Sequence, residues 1–407
     1  MQKTNDYLNM LKSRPLLITL TLGILTAIGS ISIDLYLPAF SVMSSYFKVP
    51  MVRMETTVTL FLFGMAFGQL FIGPLSDVWG RKLPLKIGLS VYIICSVACM
   101  LTNSFPLLLA LRFLQGLAGS ACQVISRALV NDLYKGNRAA HVFTLLQILM
   151  GVSPILAPMV GGLLSEESTW KYLFLIMALL SGMGLLGCLT VLPDGKPAAE
   201  SRKINFKGIW KGYIECIKSP SFVNYALVRA VSNSAAFAMI TGSPFVFTQL
   251  YSLSMKQFGF IFSILAVGII CTGIINTRLL KHFEVRAITK YALLFQLLTG
   301  AGMILVIYFS GPFYVLLILA FLFLSMLGPV LPNTTALYLA SLPAFSGSAS
   351  ALIGSLSYLS AFLVTSILSL LHNNTAYPMI FTMWSCTVIA MACLLFRKGS
   401  AVPKVME

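Results

Sequence analysis

Two ionisable residues, Asp34 and Arg112, lie inside long apolar segments of this 407-residue sequence. At about 1.5 Å of helix per residue, Asp34 follows Pro15 by about 28 Å and Arg112 follows Phe105 by about 10 Å. Apolar surroundings favour the neutral form of a carboxyl group, whereas a nearby arginine favours the ionised form. The pair therefore predicts a carboxyl group that binds and releases a proton under the influence of Arg112. A permanent structural ion pair is the alternative interpretation.

A second group of charges lies in the segment Gly73–Lys82, which reads Gly-Pro-Leu-Ser-Asp-Val-Trp-Gly-Arg-Lys. We expect a short loop between two helices, because glycine allows the chain to turn tightly. A basic turn on one side of a membrane would explain Arg81 and Lys82. It would explain neither the acid Asp77 nor the glycine spacing, so the segment is a candidate site.

Proline and glycine recur in two further apolar segments. Pro154 and Pro158 remove backbone donors and predict a bent helix. Gly161 and Gly162 allow another helix to approach closely. The G-x-x-x-G pattern at Gly64–Gly68 has the same use, and simple helix packing is its favoured interpretation.

The composition determines which kind of protein can hold these residues. Hydrophobic residues make up 58% of the chain and charged residues only 10%, against about 25% charged in soluble globular domains. This deficit excludes a soluble enzyme, a disordered protein and a coiled coil. The apolar runs are long and continuous, which excludes an outer-membrane barrel and indicates membrane-spanning helices.

Twelve apolar segments between residues 15 and 396 are long enough to cross a membrane as helices. One long polar stretch, 193–220, separates six segments from six. We predict an all-α membrane protein with twelve transmembrane helices in two six-helix bundles. The predicted parts are an N-terminal bundle (1–192), a cytoplasmic linker (193–220) and a C-terminal bundle (221–407). This even division suggests a duplicated transporter with its substrate site near the bilayer midplane.

The net charge of +16 is explained by membrane topology. With the N-terminus in the cytoplasm, 22 of the 28 Lys and Arg residues fall on the inner side and four on the outer side, while Arg112 and Arg229 lie inside spans. Such a bias predicts that both termini are cytoplasmic. No nucleic-acid partner is needed to explain the charge. The first apolar run is too long for a cleaved signal peptide and is predicted to be the first span.

The sequence offers no catalytic or metal-binding pattern. The eight cysteines lack metal-ligand spacing, and His141, His282 and His372 are far apart. We expect no enzyme activity, no metal and no cofactor, with a proton as the coupling ion.

Three motifs give the sequence a resemblance to the major facilitator superfamily. The segment Gly73–Lys82 is similar to the superfamily signature G-x-L-x-D-x-x-G-R-K. Arg112–Gly116 is similar to the R-x-x-Q-G motif, with Gln115 as its glutamine. Pro154–Gly162 resembles the motif of proton-driven antiporters, although Ala157 stands where glycine is usual.

Two further segments resemble the bicyclomycin-resistance (Bcr/CflA) drug exporters within that superfamily. The first is the end of span 1, Ser-Ile-Asp-Leu-Tyr-Leu-Pro-Ala at 32–39, which contains Asp34. The second is Arg127 followed by Asp-Leu-Tyr at 132–134. All of these motifs lie in the N-terminal half of the chain.

The resemblance implies a conformational latch on the cytoplasmic side. Arg81 would pair with Asp132, and Asp77 would face the N-terminus of the helix that begins near residues 346–350, where a helix dipole attracts an acid. A role in membrane insertion alone is the alternative. The predicted latch residues are Gly73, Asp77, Gly80, Arg81 and Asp132.

Gln115 and Arg229 are further candidates for a central cavity. Arg229 lies about eight residues, or about 12 Å, inside its span. Its side chain either snorkels to the cytoplasmic interface or binds an anionic or zwitterionic group in the cavity.

The resemblance implies proton-coupled export of small amphipathic drugs by alternating access. A drug cation close to Asp34 would favour the ionised carboxylate and expel its proton. A same-fold importer or exporter of a metabolite, such as a siderophore or sugar, is the alternative, and a receptor or intramembrane enzyme is a more distant one. We expect a monomer in the bacterial inner membrane, whose partners are lipid and a drug-like small molecule.

Overall fold

Helices make up most of the described part of the chain. The computed structural model describes residues 15–134, 137–165, 170–192, 206–341 and 346–396, and these ranges contain no β-strand. A 3₁₀ turn (Leu37–Ala39) and a π-helical stretch (Phe245–Leu250) join longer helices. The helices are α1 (Pro15–Asp34), α2 (Phe40–Phe47), α3 (Met51–Trp79), α4 (Lys82–Leu101), α5 (Phe105–Leu133), α6 (Asn137–Leu164), α7 (Lys171–Thr190), α8 (Phe206–Lys218), α9 (Pro220–Pro244), α10 (Met255–Leu279), α11 (Val285–Tyr308), α12 (Phe313–Ser325), α13 (Leu327–Ser341), α14 (Ser346–Leu370) and α15 (Tyr377–Leu395).

Eleven helical segments of the described residues are long and apolar enough to cross a membrane. α1 and α2 form one of them, Leu16–Phe47, and α12 and α13 form another, Phe313–Ser341. In α6, the shorter stretch Leu149–Leu164 is apolar. The prediction of an all-α membrane protein is confirmed, whereas twelve spans in two six-helix bundles stay a prediction.

The chain divides into two compact units. Among the described residues, the first unit consists of 15–50 and 60–192, and the second consists of 51–59 and 206–396. The first turns of α3 thus belong to the second unit. Part of the predicted linker, 193–220, forms the helix α8, in which buried and exposed side chains alternate with a helical period over residues 210–218. Residues 193–205 and both chain ends lie outside the described ranges.

Within the first unit, α3 and α5 touch along glycines. A Cβ atom added to Gly64 would lie 2.2 Å from the carbonyl oxygen of Phe113, and one added to Gly116 would lie 2.1 Å from the carbonyl oxygen of Phe61. A Cβ atom added to Gly68 would lie similarly close to the hydroxyl oxygen of Ser120. Only glycine permits backbones to approach in this way, so the packing interpretation of the G-x-x-x-G pattern is confirmed.

Within the second unit, α9 packs against α13, α14 and α15. α10 and α13 are joined by Asn276 and Asn333, whose buried side-chain amides exchange two hydrogen bonds of 2.9 and 3.1 Å. Polar groups inside a bilayer need partners within the protein. The reciprocal pair therefore sets the register of α10 against α13.

Gly64→Ala should destabilise the protein by about 1–3 kcal/mol, because the added methyl group would force α3 and α5 apart. Thermal unfolding in detergent measures the change. Gly182→Ala in α7 is the matched control, since a Cβ atom there has no neighbour within 4 Å. Equal melting temperatures for the two variants would contradict the close packing.

Candidate functional site

Arg112 is fully buried in α5, and four residues of the first unit hold its guanidinium group. Nη2 donates to the carbonyl oxygen of Ser32 at 2.8 Å, and Nη1 donates to Oε1 of Gln115. The guanidinium carbon lies 4.4 Å from the ring centroid of Tyr36 and 4.5 Å from that of Phe61. A carbonyl, an amide and two aromatic rings thus stabilise the positive charge.

A chain of hydrogen bonds extends this site from Gln115. Its Nε2 donates to Oγ of Ser96 at 2.7 Å, and that hydroxyl donates to the carbonyl oxygen of Tyr92 at 2.8 Å. The hydroxyl groups of Tyr92 and Ser32 share a further hydrogen bond. All four side chains are buried. The network therefore ties α1, α4 and α5 together around Arg112. Ser32 begins the motif at 32–39 without having been predicted as a site residue, and Tyr92 and Ser96 lie in no motif.

Asp34 is the last residue of α1, and only 4% of it is exposed. Among the described residues, its carboxyl group makes no hydrogen bond and no ion pair with Arg112. The permanent ion pair, one of the two sequence-based interpretations, is therefore absent from this structure. Arg112 instead binds the backbone two residues earlier, where the carbonyl groups of a helix C-terminus attract a cation.

Gly161 brings α6 against the turn that follows α1. A Cβ atom added to Gly161 would lie 2.0 Å from the carbonyl oxygen of Leu35 and 3.2 Å from Cγ of Pro38. The antiporter-type motif therefore contacts the stretch of chain that carries Asp34. The other predicted residues of this motif also lie in α6, and they are Pro154, Pro158 and Gly162.

Arg81 joins two acids near the end of α3. Its Nε donates to Oδ2 of Asp132 at 2.9 Å, and its Nη1 lies 2.5 Å from Oδ1 of Asp77 and 2.7 Å from Oγ of Ser76. The Asp132 side chain is 5% exposed and the Asp77 side chain 64%. The expected contact between Arg81 and Asp132 is present, whereas its function as a latch stays a prediction.

The loop predicted for residues 73–82 is wrong. α3 continues to Trp79 and α4 begins at Lys82, so only two residues connect the helices. Gly80 has a φ of +79°, which strongly favours glycine. Gly73 lies inside α3, and a Cβ atom there would meet Val124 at an ordinary 3.7 Å. Asp77, in the last turn of α3, forms an ion pair with Arg81 just beyond the end of the helix.

Arg229 lies in α9 of the second unit and is partly buried. Its Nη1 donates to the carbonyl oxygen of Leu331 at 2.6 Å, just before Pro332 in α13. The residue therefore links α9 to α13, and its part in a substrate cavity stays a prediction.

Glu55 is a buried acid that does not belong to the predicted site. It lies in α3 with 3% of its surface exposed, and its carboxyl group makes no hydrogen bond or ion pair with the described residues. Its sequence signal is an acid within an apolar segment, which by itself marks a candidate functional residue. In the described ranges, no three His, Cys, Asp or Glu residues are placed to hold a metal ion.

A protein-family model matches most of the chain. The model described as Major Facilitator Superfamily matches residues 22–365. The chain belongs to the major facilitator superfamily. The predicted resemblance to that superfamily is therefore confirmed.

Three relatives within the superfamily are similar over most of their length. An uncharacterized MFS-type transporter of Bacillus subtilis is 30% identical over 370 residues, which cover 90% of this chain and 92% of the relative. The bicyclomycin resistance protein homolog of Haemophilus influenzae is 28% identical, with 93% and 95% covered. The chloramphenicol resistance protein of Pseudomonas aeruginosa is 26% identical, with 92% and 89% covered. The resemblance to bicyclomycin-resistance proteins is also confirmed.

The major facilitator fold is found in a solved structure as well. A crystal structure of a D-xylose-proton symporter superposes with a TM-score of 0.74 and covers 94% of this chain and 97% of its own. Its sequence identity is 15%, so this similarity concerns the fold alone.

Arg112→Lys should destabilise the protein by about 1–3 kcal/mol, because an ammonium group cannot donate to Ser32 and Gln115 while stacking between two rings. A thiol-reactive dye can follow unfolding on heating, since Cys95, Cys99 and Cys122 are buried in the folded unit. Arg53→Lys, at an exposed position, is the control. If Arg112→Lys became reactive at the same temperature as the wild type, the guanidinium contacts would not stabilise this site.

Proposed function

We propose that this protein exports small amphipathic, drug-like molecules across the bacterial inner membrane in exchange for protons, by alternating access of a twelve-helix major facilitator fold. Membership of the superfamily supports a transport function. Two relatives are named as bicyclomycin and chloramphenicol resistance proteins, which supports drugs as the substrate class. Export lowers the drug concentration in the cell, and this explains how a transporter confers resistance.

The observation that carries the proposal is the burial of Asp34 without an ion-pair partner among the described residues. An ionised carboxylate in this place would lack both water and a partner, which is unfavourable. The carboxyl group therefore holds its proton in this conformation. A substrate that brings a cation or an N–H or O–H donor next to Asp34 stabilises the ionised form. The O–H bond of the carboxyl group then breaks and the proton passes to water, so substrate and proton exclude one another.

Arg112 influences the proton affinity of Asp34 through its contact with the backbone of α1. It holds the carbonyl oxygen of Ser32, while Gly161 of α6 contacts the carbonyl oxygen of Leu35. A shift of either helix during transport changes the distance between Arg112 and Asp34, and with it the electrostatic field at the carboxyl group. In this proposal Gln115 keeps Arg112 in place, and Pro154, Pro158 and Gly162 shape α6.

For a neutral drug, the membrane potential supplies driving force: one proton that moves inward through 100 mV releases about 2.3 kcal/mol, which supports a drug gradient of roughly 50-fold. Exchange of a drug cation for one proton moves no net charge, so the pH difference alone drives that exchange. The cluster of Arg81, Asp77 and Asp132 acts as a cytoplasmic latch that opens and closes in each cycle. We further propose a monomer with both termini in the cytoplasm, following the distribution of Lys and Arg.

Inverted membrane vesicles from an efflux-deficient bacterium test this function. Vesicles with the wild-type protein should accumulate chloramphenicol or bicyclomycin when energised, and should lose it when the pH difference and voltage are collapsed. Asp34→Asn should reduce the accumulation at least tenfold, because an amide releases no proton. Glu284→Gln, which removes an exposed acid, is the matched control and should behave as the wild type.

Two results would contradict the proposal. Drug accumulation that survives the collapse of both gradients would indicate a passive carrier. Energised movement of a sugar or a siderophore without any drug would favour the metabolite transporter.

A further inference from the structure

One face of α8 is apolar and exposed. Trp210, Ile214 and Ile217 are 62%, 45% and 61% exposed, and their spacing of four and three residues places them on a single stripe of the helix. We call these three residues the α8 stripe. Exposed large side chains in a row mark a contact surface.

The face of α8 next to the stripe is buried within the second unit. Tyr213 is 7% exposed and Cys216 is fully buried. Cys216 shares an apolar cluster with Phe222 of α9 and with Ala349 and Ile353 of α14. This packing fixes the orientation of α8 and leaves the stripe exposed beside the buried face.

The connection to α9 determines where α8 lies relative to the membrane. α8 ends at Lys218, and the next membrane-spanning segment begins at Pro220. The hydroxyl of Ser219 caps α9 by accepting a hydrogen bond from the backbone N–H of Phe222 at 3.4 Å. With a single residue between the two helices, α8 lies at the level where the chain enters the bilayer.

The charges of α8 indicate which molecule the stripe contacts. The helix contains Lys207, Lys211 and Lys218 against one acid, Glu215. Lys211 is exposed, and Lys218 is 67% exposed although its Nζ lies 3.3 Å from Oε1 of Glu215. An exposed ion pair of this kind is weak. Lys211 and Lys218 are therefore both available to an anion beside the stripe.

We propose that α8 binds the anionic phospholipid headgroups of the leaflet on which it lies. Trp210, Ile214 and Ile217 insert between the lipid chains at the interface, where tryptophan is favoured. Lys211 and Lys218 contact phosphate groups along the edge of the stripe. The lipid thereby anchors the end of the second unit at which Cys216 packs against α14. This contact does not depend on which substrate the protein transports.

Quenching of Trp210 fluorescence by brominated lipids tests the proposal on the full chain in bilayers. The signal of Trp210 is the difference between the emission of the wild type and that of Trp210→Phe. Mixtures of brominated phosphatidylglycerol and phosphatidylcholine give the relative affinity of the two lipids for this position. We expect the anionic lipid to be preferred about 25-fold, and each of Lys211→Gln and Lys218→Gln to reduce this preference about fivefold. Lys256→Gln, at an exposed lysine of α10, is the control and should change nothing.

Three results would overturn the proposal. Quenching of Trp210 by acrylamide from water but not by brominated lipid would show that the stripe faces the solvent and is left for a protein partner. Equal quenching by both lipids in the wild type would exclude a preference for anionic headgroups. An unchanged preference in the Lys211→Gln, Lys218→Gln double variant would exclude the two lysines as the phosphate contacts.

Discussion

The buried charge of Arg112 is held by the C-terminal end of α1, and this contact determines what Asp34 can do. The carbonyl oxygen of Ser32, the amide of Gln115 and two aromatic rings satisfy the guanidinium group. If Arg112 were instead paired with Asp34, the carboxylate would be stabilised in its ionised form and would not exchange a proton. Because Arg112 binds this backbone oxygen, Asp34 is left buried without an ion pair, and burial favours the neutral form of a carboxyl group.

Glycine makes this arrangement possible. Gly116 lets α5 touch the backbone of α3, and Gly161 lets α6 touch the chain next to Asp34. Since helices in a bilayer gain little from the hydrophobic effect against one another, close backbone contact is a main source of their association. These glycines therefore position the site rather than take part in its chemistry.

Much of the fold followed from composition and periodicity. A span needs about 20 apolar residues, and such segments are visible in the sequence without knowledge of their neighbours. The motifs also identified Asp34, Arg112, Gln115, Arg81 and Asp132, of which the structure joins Arg112 to Gln115 and Arg81 to Asp132.

Other parts of the site could not be predicted, because they depend on contacts between distant segments. The hydrogen bond from Arg112 to Ser32 joins residues 80 positions apart. Its acceptor is a backbone oxygen, which every residue type carries, so the sequence does not indicate it. The end of α3 was mistaken for a loop because Gly73 and Pro74 are turn residues in most contexts. The sequence did not indicate α8, because this helix lies in a polar stretch and its buried face contains only a few apolar side chains.

The dependence of substrate affinity on pH, measured with purified protein in detergent, tests most directly whether Asp34 binds the exchanged proton. In the wild type, the affinity should strengthen as the pH rises, by up to about tenfold per pH unit, because substrate and one proton compete. The side-chain amide introduced by Asp34→Asn cannot take up that proton, so the substrate affinity of this variant should be independent of pH. The same pH dependence in both proteins would show that another group carries the proton.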